Sequence, residues 1–131
     1  MPIYNTIDYI NITTTTGNAN DRGDLPTQRK GPAGVSGPTY GYFAGGNKSG
    51  VNKNEIEYID MTTTSGNAID RGDLTVARYD LAGMNGASYG FYGGGHLPLS
   101  NVVEYIDNTL TSGGAYDRGD LQSTRAGSAG I

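Results

Sequence analysis

Glu57-Tyr58-Ile59-Asp60-Met61-Thr62-Thr63-Thr64-Ser65-Gly66-Asn67-Ala68-Ile69-Asp70-Arg71-Gly72-Asp73-Leu74-Thr75-Val76-Ala77-Arg78 is one copy of a phrase that the chain writes three times. Its most constant part, Asp70-Arg71-Gly72-Asp73-Leu74, occurs earlier as Asp21-Arg22-Gly23-Asp24-Leu25 and later as Asp117-Arg118-Gly119-Asp120-Leu121. The spacing is 49 residues from Asp21 to Asp70 and 47 from Asp70 to Asp117. A period in this range marks a blade-like repeat.

The repetition spreads outward from that phrase. Upstream stand Asp8-Tyr9-Ile10-Asn11, Glu57-Tyr58-Ile59-Asp60 and Glu104-Tyr105-Ile106-Asp107, each leading into a Thr/Ser-rich run. Downstream, Arg29, Arg78 and Arg125 each precede an Ala-Gly-apolar step, at Ala33-Gly34-Val35, Ala82-Gly83-Met84 and Ala129-Gly130-Ile131. Two units continue into Tyr40-Gly41-Tyr42-Phe43-Ala44-Gly45-Gly46 and Tyr89-Gly90-Phe91-Tyr92-Gly93-Gly94-Gly95. Residues 1–131 therefore read as one repeat domain, with units at about 1–46, 47–95 and 96–131 and the last one incomplete.

Composition points to an all-β fold. Glycine makes up 22 of the 131 residues without a three-residue period, which suits many tight turns and closely approaching backbones. Ten tyrosines and the alternation of apolar with polar residues argue for a packed chain over a disordered one. The net charge of −4 offers no attraction to nucleic-acid phosphates, so nucleic acid is not an expected partner. No apolar run has the length of a membrane span, so membrane insertion is not expected, and the first residues lack the pattern of a secretory signal. With no cysteine there is neither disulfide nor thiolate chemistry.

Within one unit, Glu55-Ile56-Glu57-Tyr58-Ile59-Asp60-Met61 alternates as a strand with two different faces. Thr62–Asn67 reads as a turn or the start of the next strand, and Asp70-Arg71-Gly72-Asp73 as a tight turn. Asn85-Gly86 signals a hairpin joining Leu81-Ala82-Gly83-Met84 to Tyr89-Gly90-Phe91-Tyr92. Four short strands per unit make a four-stranded antiparallel blade.

The order of a strand ending in a double glycine, a Tyr strand, a polar loop and an Arg resembles the kelch-type β-propeller repeat. The residues are Gly45-Gly46, Tyr58 and Arg78, then Gly94-Gly95, Tyr105 and Arg125, with Tyr9 and Arg29 in the first unit. The kelch Trp is absent, and the Asp-Arg-Gly-Asp-Leu phrase occupies its neighbourhood. The wording of the repeat also resembles kelch-like repeats in structural proteins of tailed bacteriophages. This resemblance implies a non-enzymatic β-propeller module in a virion, as a tail, fibre or capsid-decoration protein, facing other virion proteins or a host glycan. A carbohydrate-binding lectin is the alternative. Kelch-scaffold oxidases need copper held by Tyr, His and Cys, a set mostly missing here, and no cofactor is expected.

Three Tyr strands, three Asp-Arg-Gly-Asp segments, three Ala-Gly strands and two Gly-Gly strands supply about 11 strands of a three-blade set. Either the chain is a portion of a longer propeller, or copies assemble head to tail, a dimer being the favoured homo-oligomer.

Candidate chemistry is sparse. Arg-Gly-Asp at 22–24, 71–73 and 118–120 matches an adhesive tripeptide, although its recurrence favours a repeated turn. Asp21 with Asp24, Asp70 with Asp73 and Asp117 with Asp120 are weak candidates for a hard cation. His96 is the sole histidine and lacks a triad context. Tyr40, Tyr42, Tyr89 and Tyr92 are candidates for a stacking or docking surface, although half or more of them are expected to pack between blades instead. Asn11-Ile12-Thr13 and Asn47-Lys48-Ser49 match the glycosylation acceptor pattern.

Overall fold

Twelve β-strands form the regular structure of residues 3–96 and 98–127, the part of the chain that the computed structural model describes. Among these residues there is no helix. The third Ala-Gly step, Ala129-Gly130-Ile131, lies outside the described residues.

The chain starts with a two-stranded sheet, β1 (Thr6–Tyr9) and β2 (Asn20–Asp24). A four-stranded antiparallel sheet follows, in the order β3 (Ala33–Ser36), β4 (Tyr40–Ala44), β7 (Glu55–Asp60), β8 (Ile69–Asp73). A small hairpin, β5 (Asn47–Lys48) and β6 (Val51–Asn52), interrupts this meander between β4 and β7. The second four-stranded sheet runs β9 (Ala82–Asn85), β10 (Tyr89–Gly93), β11 (Ser100–Asp107), β12 (Tyr116–Arg125), again antiparallel throughout. Each large sheet thus contains an Ala-Gly strand, a Gly-Gly strand, a Tyr strand and an Asp-Arg-Gly-Asp strand. The β1–β2 sheet holds only the last two types. Each large sheet takes two strands from each of two successive sequence units.

The unequal spacing of the repeat has a local cause. Glu55 stands nine positions after Gly46, and its counterpart Val102 stands seven after Gly95. The longer connection is the β5–β6 hairpin, whose turn residues Ser49 and Gly50 adopt φ of 51° and 86°.

The Asn85-Gly86 hairpin forms with its turn displaced. Ala87-Ser88 is the turn centre, closed by the Gly86 N–H donating to the Tyr89 carbonyl at 2.7 Å. Pro38-Thr39 does the same in the preceding sheet, with Gly37 donating to Tyr40 at 2.8 Å. Asn85 instead ties the two sheets together, its Oδ1 accepting from the Ser36 N–H at 2.8 Å.

The Asp-Arg-Gly-Asp phrase is a strand and not the tight turn that its composition suggests. In β2, β8 and β12 it pairs with the neighbouring Tyr strand, and the register slips by one residue at the arginine each time. Ile7 faces Gly23 while Asp8 faces Asp21, and the same step recurs around Arg71 and Arg118. Each arginine is the extra residue of a β-bulge, which twists the strand and re-aims a side chain. The glycines after them hold φ of 149°, 149° and 131°. Asp and Gly, strong turn formers, serve here to make the bulge.

Packing follows from pleat alternation. On the first four-stranded sheet, Phe43 and Ile59 face the β1–β2 sheet and cluster with Ile7, Leu25 and Ala68. Tyr42, Ala44 and Ile56, on the opposite face, join Val35, Leu74, Leu81, Tyr92 and Ile106 in the larger core between the two big sheets. The first strands, β3 and β9, lie beside each other without forming a ladder. Their approach is so close that a Cβ added to Gly83 would stand 2.2 Å from the Gly34 carbonyl oxygen. A Cβ on Gly34 meets nothing nearer than 3.8 Å.

Gly83→Ala should therefore destabilise the chain by about 1–3 kcal/mol in urea unfolding, as overpacking does, while Gly34→Ala stays within ~0.5 kcal/mol. Equal losses would contradict the contact between β3 and β9.

Candidate functional site

The unusual feature of this small core is its buried charge. Arg22, Arg29, Arg71, Arg78, Glu57 and Glu104 are all at most 6% exposed. A buried guanidinium is costly unless its donors are met, so the partners decide what these residues do.

Arg22 leaves its bulge and enters the loop between β7 and β8. Its Nη2 donates to the Asp60 carbonyl at 2.8 Å and to Thr63 Oγ1 at 3.1 Å, and Nη1 donates to the Gly66 carbonyl. Arg71 makes the equivalent contact one unit later. Its Nε donates to the Leu110 carbonyl at 3.1 Å, Nη2 to the Asp107 carbonyl at 3.0 Å, and Nη1 to the Gly113 carbonyl. The glycine after each arginine lets the loop come close: a Cβ on Gly23 or Gly72 would stand 2.6 Å from the carbonyl oxygen of Gly66 or Gly113. Main-chain bonds complete the clip, with Gly66 and Ala68 donating to the Arg22 and Asp24 carbonyls, both at 2.9 Å, and Ala115 to the Asp73 carbonyl at 2.8 Å.

The receiving loop is shaped by its own side chains. Asp60 accepts from the Thr62 N–H at 2.8 Å and its hydroxyl at 2.6 Å, and Asp107 accepts from Thr109 in the same way at 2.9 and 2.6 Å. These bonds hold both carboxyls below the ordinary aspartate value of 3.8. Asn11 replaces the acid in the first unit, with its Oδ1 accepting from the Thr13 N–H at 2.9 Å and hydroxyl at 2.7 Å.

A second set of arginines forms ion pairs. Arg29 meets Glu57 through two hydrogen bonds, one of them 3.0 Å. Arg78 meets Glu104 at 2.6 Å and also donates to the carbonyls of Gly94 at 2.9 Å and Val102 at 2.8 Å. Burial pushes the Glu57 carboxyl above its ordinary range against the pull of Arg29. It draws the Arg78 guanidinium down against the pull of Glu104. The double glycines bond the main chain of the repeat arginines Arg78 and Arg125: Gly46 donates to the Arg78 carbonyl at 2.9 Å, and Gly95 to the Arg125 carbonyl at 2.7 Å. The φ values of 68° and 114° at Gly45 and Gly46, and of 66° and 105° at Gly94 and Gly95, explain why glycine stands there.

The sequence candidates separate clearly. Tyr42 and Tyr92 are 1% and 0% exposed, so they are core residues and offer no docking surface. Tyr40 is half-buried edge-on to Tyr58, with ring centroids 5.5 Å apart. Tyr89 remains exposed, edge-on to Tyr105, which also lies against Tyr116. Tyr9, Tyr58 and Tyr105 occupy matching half-buried places in β1, β7 and β11. The adhesive reading fails for Arg22 and Arg71, whose side chains are buried, and leaves only Arg118 of the three tripeptide arginines exposed.

All six aspartates of the phrase are exposed. Asp70 and Asp117 accept from the N–H of Gly72 and Gly119 at 3.2 and 2.9 Å. Among the described residues no three acidic or His side chains gather as metal ligands. His96 is exposed and stacks on Tyr79 with ring centroids 5.0 Å apart. Asn47 is buried and bonded to Asn52, which removes it as a glycosylation acceptor in the folded chain, whereas Asn11 is exposed.

Arg29 and Arg78 were marked by the repeat, but Glu57 and Glu104 were not singled out as their partners. Their signal was an acidic residue at a fixed place in every Tyr strand, matched by an arginine at a fixed place after every Asp-Arg-Gly-Asp strand. No protein-family model matches the chain, and no curated protein matches it either.

Because the carboxyls of Asp60 and Asp107 titrate below 3.8, the loops they shape are held above that pH and released as pH falls through the lowered values. Amide exchange at Thr62 and Thr109 should accelerate there relative to Thr13, whose Asn11 acceptor does not titrate. Parallel behaviour of the three amides would contradict this account of the loops.

Proposed function

We propose that the chain is a run of kelch-like β-propeller blades acting as a non-enzymatic structural and interaction module of a virion, in a tail, fibre or capsid decoration. The observation that carries this reading is the use made of the buried charge. Each buried arginine and glutamate joins one repeat to the next, which is scaffold work. The side-by-side first strands, β3 and β9, are what blades arranged around an axis require. The virion assignment rests on the wording of the repeat. Antibody against the chain should decorate assembled particles in electron micrographs of a lysate that contains its gene product. Label confined to the soluble fraction would contradict the assignment.

Carbohydrate binding is the second reading, favoured by the exposed rings of Tyr89 and Tyr116 on either side of Tyr105. Such rings stack on sugar faces while the hydroxyls take polar partners. Under this reading a glycan array gives a signal that Tyr89→Ala abolishes; a blank array removes it.

A further inference from the structure

We propose that copies of this chain join head to tail by a third arginine clip. Arg118 of one copy enters the Asn11–Asn18 loop of a second copy, and Arg125 pairs with Asp8 of that second copy.

The plug is already built. β12 carries the same bulge at Arg118 that β2 and β8 carry at Arg22 and Arg71. Yet Arg118 is exposed where the other two are 6% and 5% exposed. A Cβ on Gly119 would meet nothing within 4 Å, although the same position at Gly23 and Gly72 touches the next loop.

The socket is built as well. Asn11, Thr14 and Gly17 stand 49 residues before Asp60, Thr63 and Gly66, the three residues that receive Arg22. The loop has the receiving shape without an arginine in it. Thr14 Oγ1 donates to the Asn11 carbonyl at 3.2 Å as Thr63 Oγ1 does to Asp60 at 3.0 Å, and Gly17 and Gly66 share φ of 124° and 112°. These residues surround a cavity of about 280 Å³.

Charge and apolar surface agree with this pairing. Asp8, the first-unit counterpart of Glu57, is exposed, and so is Arg125, the third-unit counterpart of Arg78. Met84, Phe91, Val103 and Leu121 hold the repeat positions of Val35, Tyr42, Ile56 and Leu74, which are at most 5% exposed. Met84 is 43% exposed and the other three are half-buried. Ile106 helps cover that core in the internal junction, and its first-unit counterpart, Ile10, is 60% exposed on the socket side. A partner for the open sheet must bring an acidic residue, a Thr-rich carbonyl loop and an apolar residue in this arrangement. The β1–β2 end of the same chain carries all three.

This inference stands on the internal junctions alone, so failure of the virion reading leaves it intact. The test is sedimentation velocity of the full chain with Asp8→Arg, Arg125→Glu and their equimolar mixture. Both altered residues are exposed, and circular dichroism checks that the fold persists. The unaltered chain should associate with rising concentration, and each single variant at least about tenfold more weakly, since like charges then face each other. The mixture should recover association, because every head-to-tail junction again pairs opposite charges. A chain that remains monomeric, variants that associate like the unaltered chain, or a mixture that fails to recover would each overturn the proposal.

Discussion

A guanidinium removed from water must find acceptors, and in this chain the acceptors of Arg22 and Arg71 belong to the following repeat. Most other features of the fold serve that requirement. The bulge turns the arginine out of its own sheet, the next glycine removes the Cβ that would block the incoming loop, and Asp60 or Asp107 fixes the loop so that its carbonyls converge. The buried arginines find their acceptors in the next repeat, so stability is shared between neighbours as in one-dimensional repeat proteins.

Apolar burial and ion pairs follow the same plan. The faces of the first four-stranded sheet are covered from two sides, by β1–β2 and by the second large sheet, and a buried Arg–Glu pair accompanies each contact. Such pairs contribute little net stability over apolar replacements, but they penalise a wrong register, because a displaced strand leaves a charge buried alone. For a chain in which every repeat offers similar strands, that penalty specifies which strand meets which.

Much of the architecture was legible in the sequence. The repeat, the antiparallel four-strand pattern and the places of Gly45-Gly46 and Gly94-Gly95 follow from spacing and from strand and turn chemistry. One reading failed for a physical reason, and another was left open that only the structure decides. Asp-Arg-Gly-Asp has turn composition, but a bulge uses the same conformational freedom within a ladder, and only pairing distinguishes them. Tyr42 and Tyr92 resemble surface tyrosines beside glycine, yet pleat alternation turns both into the core between the two large sheets, which spacing alone does not reveal. The Arg29–Glu57 and Arg78–Glu104 pairs depend on contacts between residues 26 to 28 positions apart, which composition does not reveal.

The central claim, that the arginine of each bulge is a structural clip whose worth lies in the loop that receives it, is tested most directly by one comparison. Urea unfolding of dilute Arg71→Ala and Arg118→Ala sets an occupied clip against an open one in chemically identical positions. The account predicts a loss on the order of 3 kcal/mol for Arg71→Ala and within ~0.5 kcal/mol for Arg118→Ala. Similar losses for the two variants would contradict it.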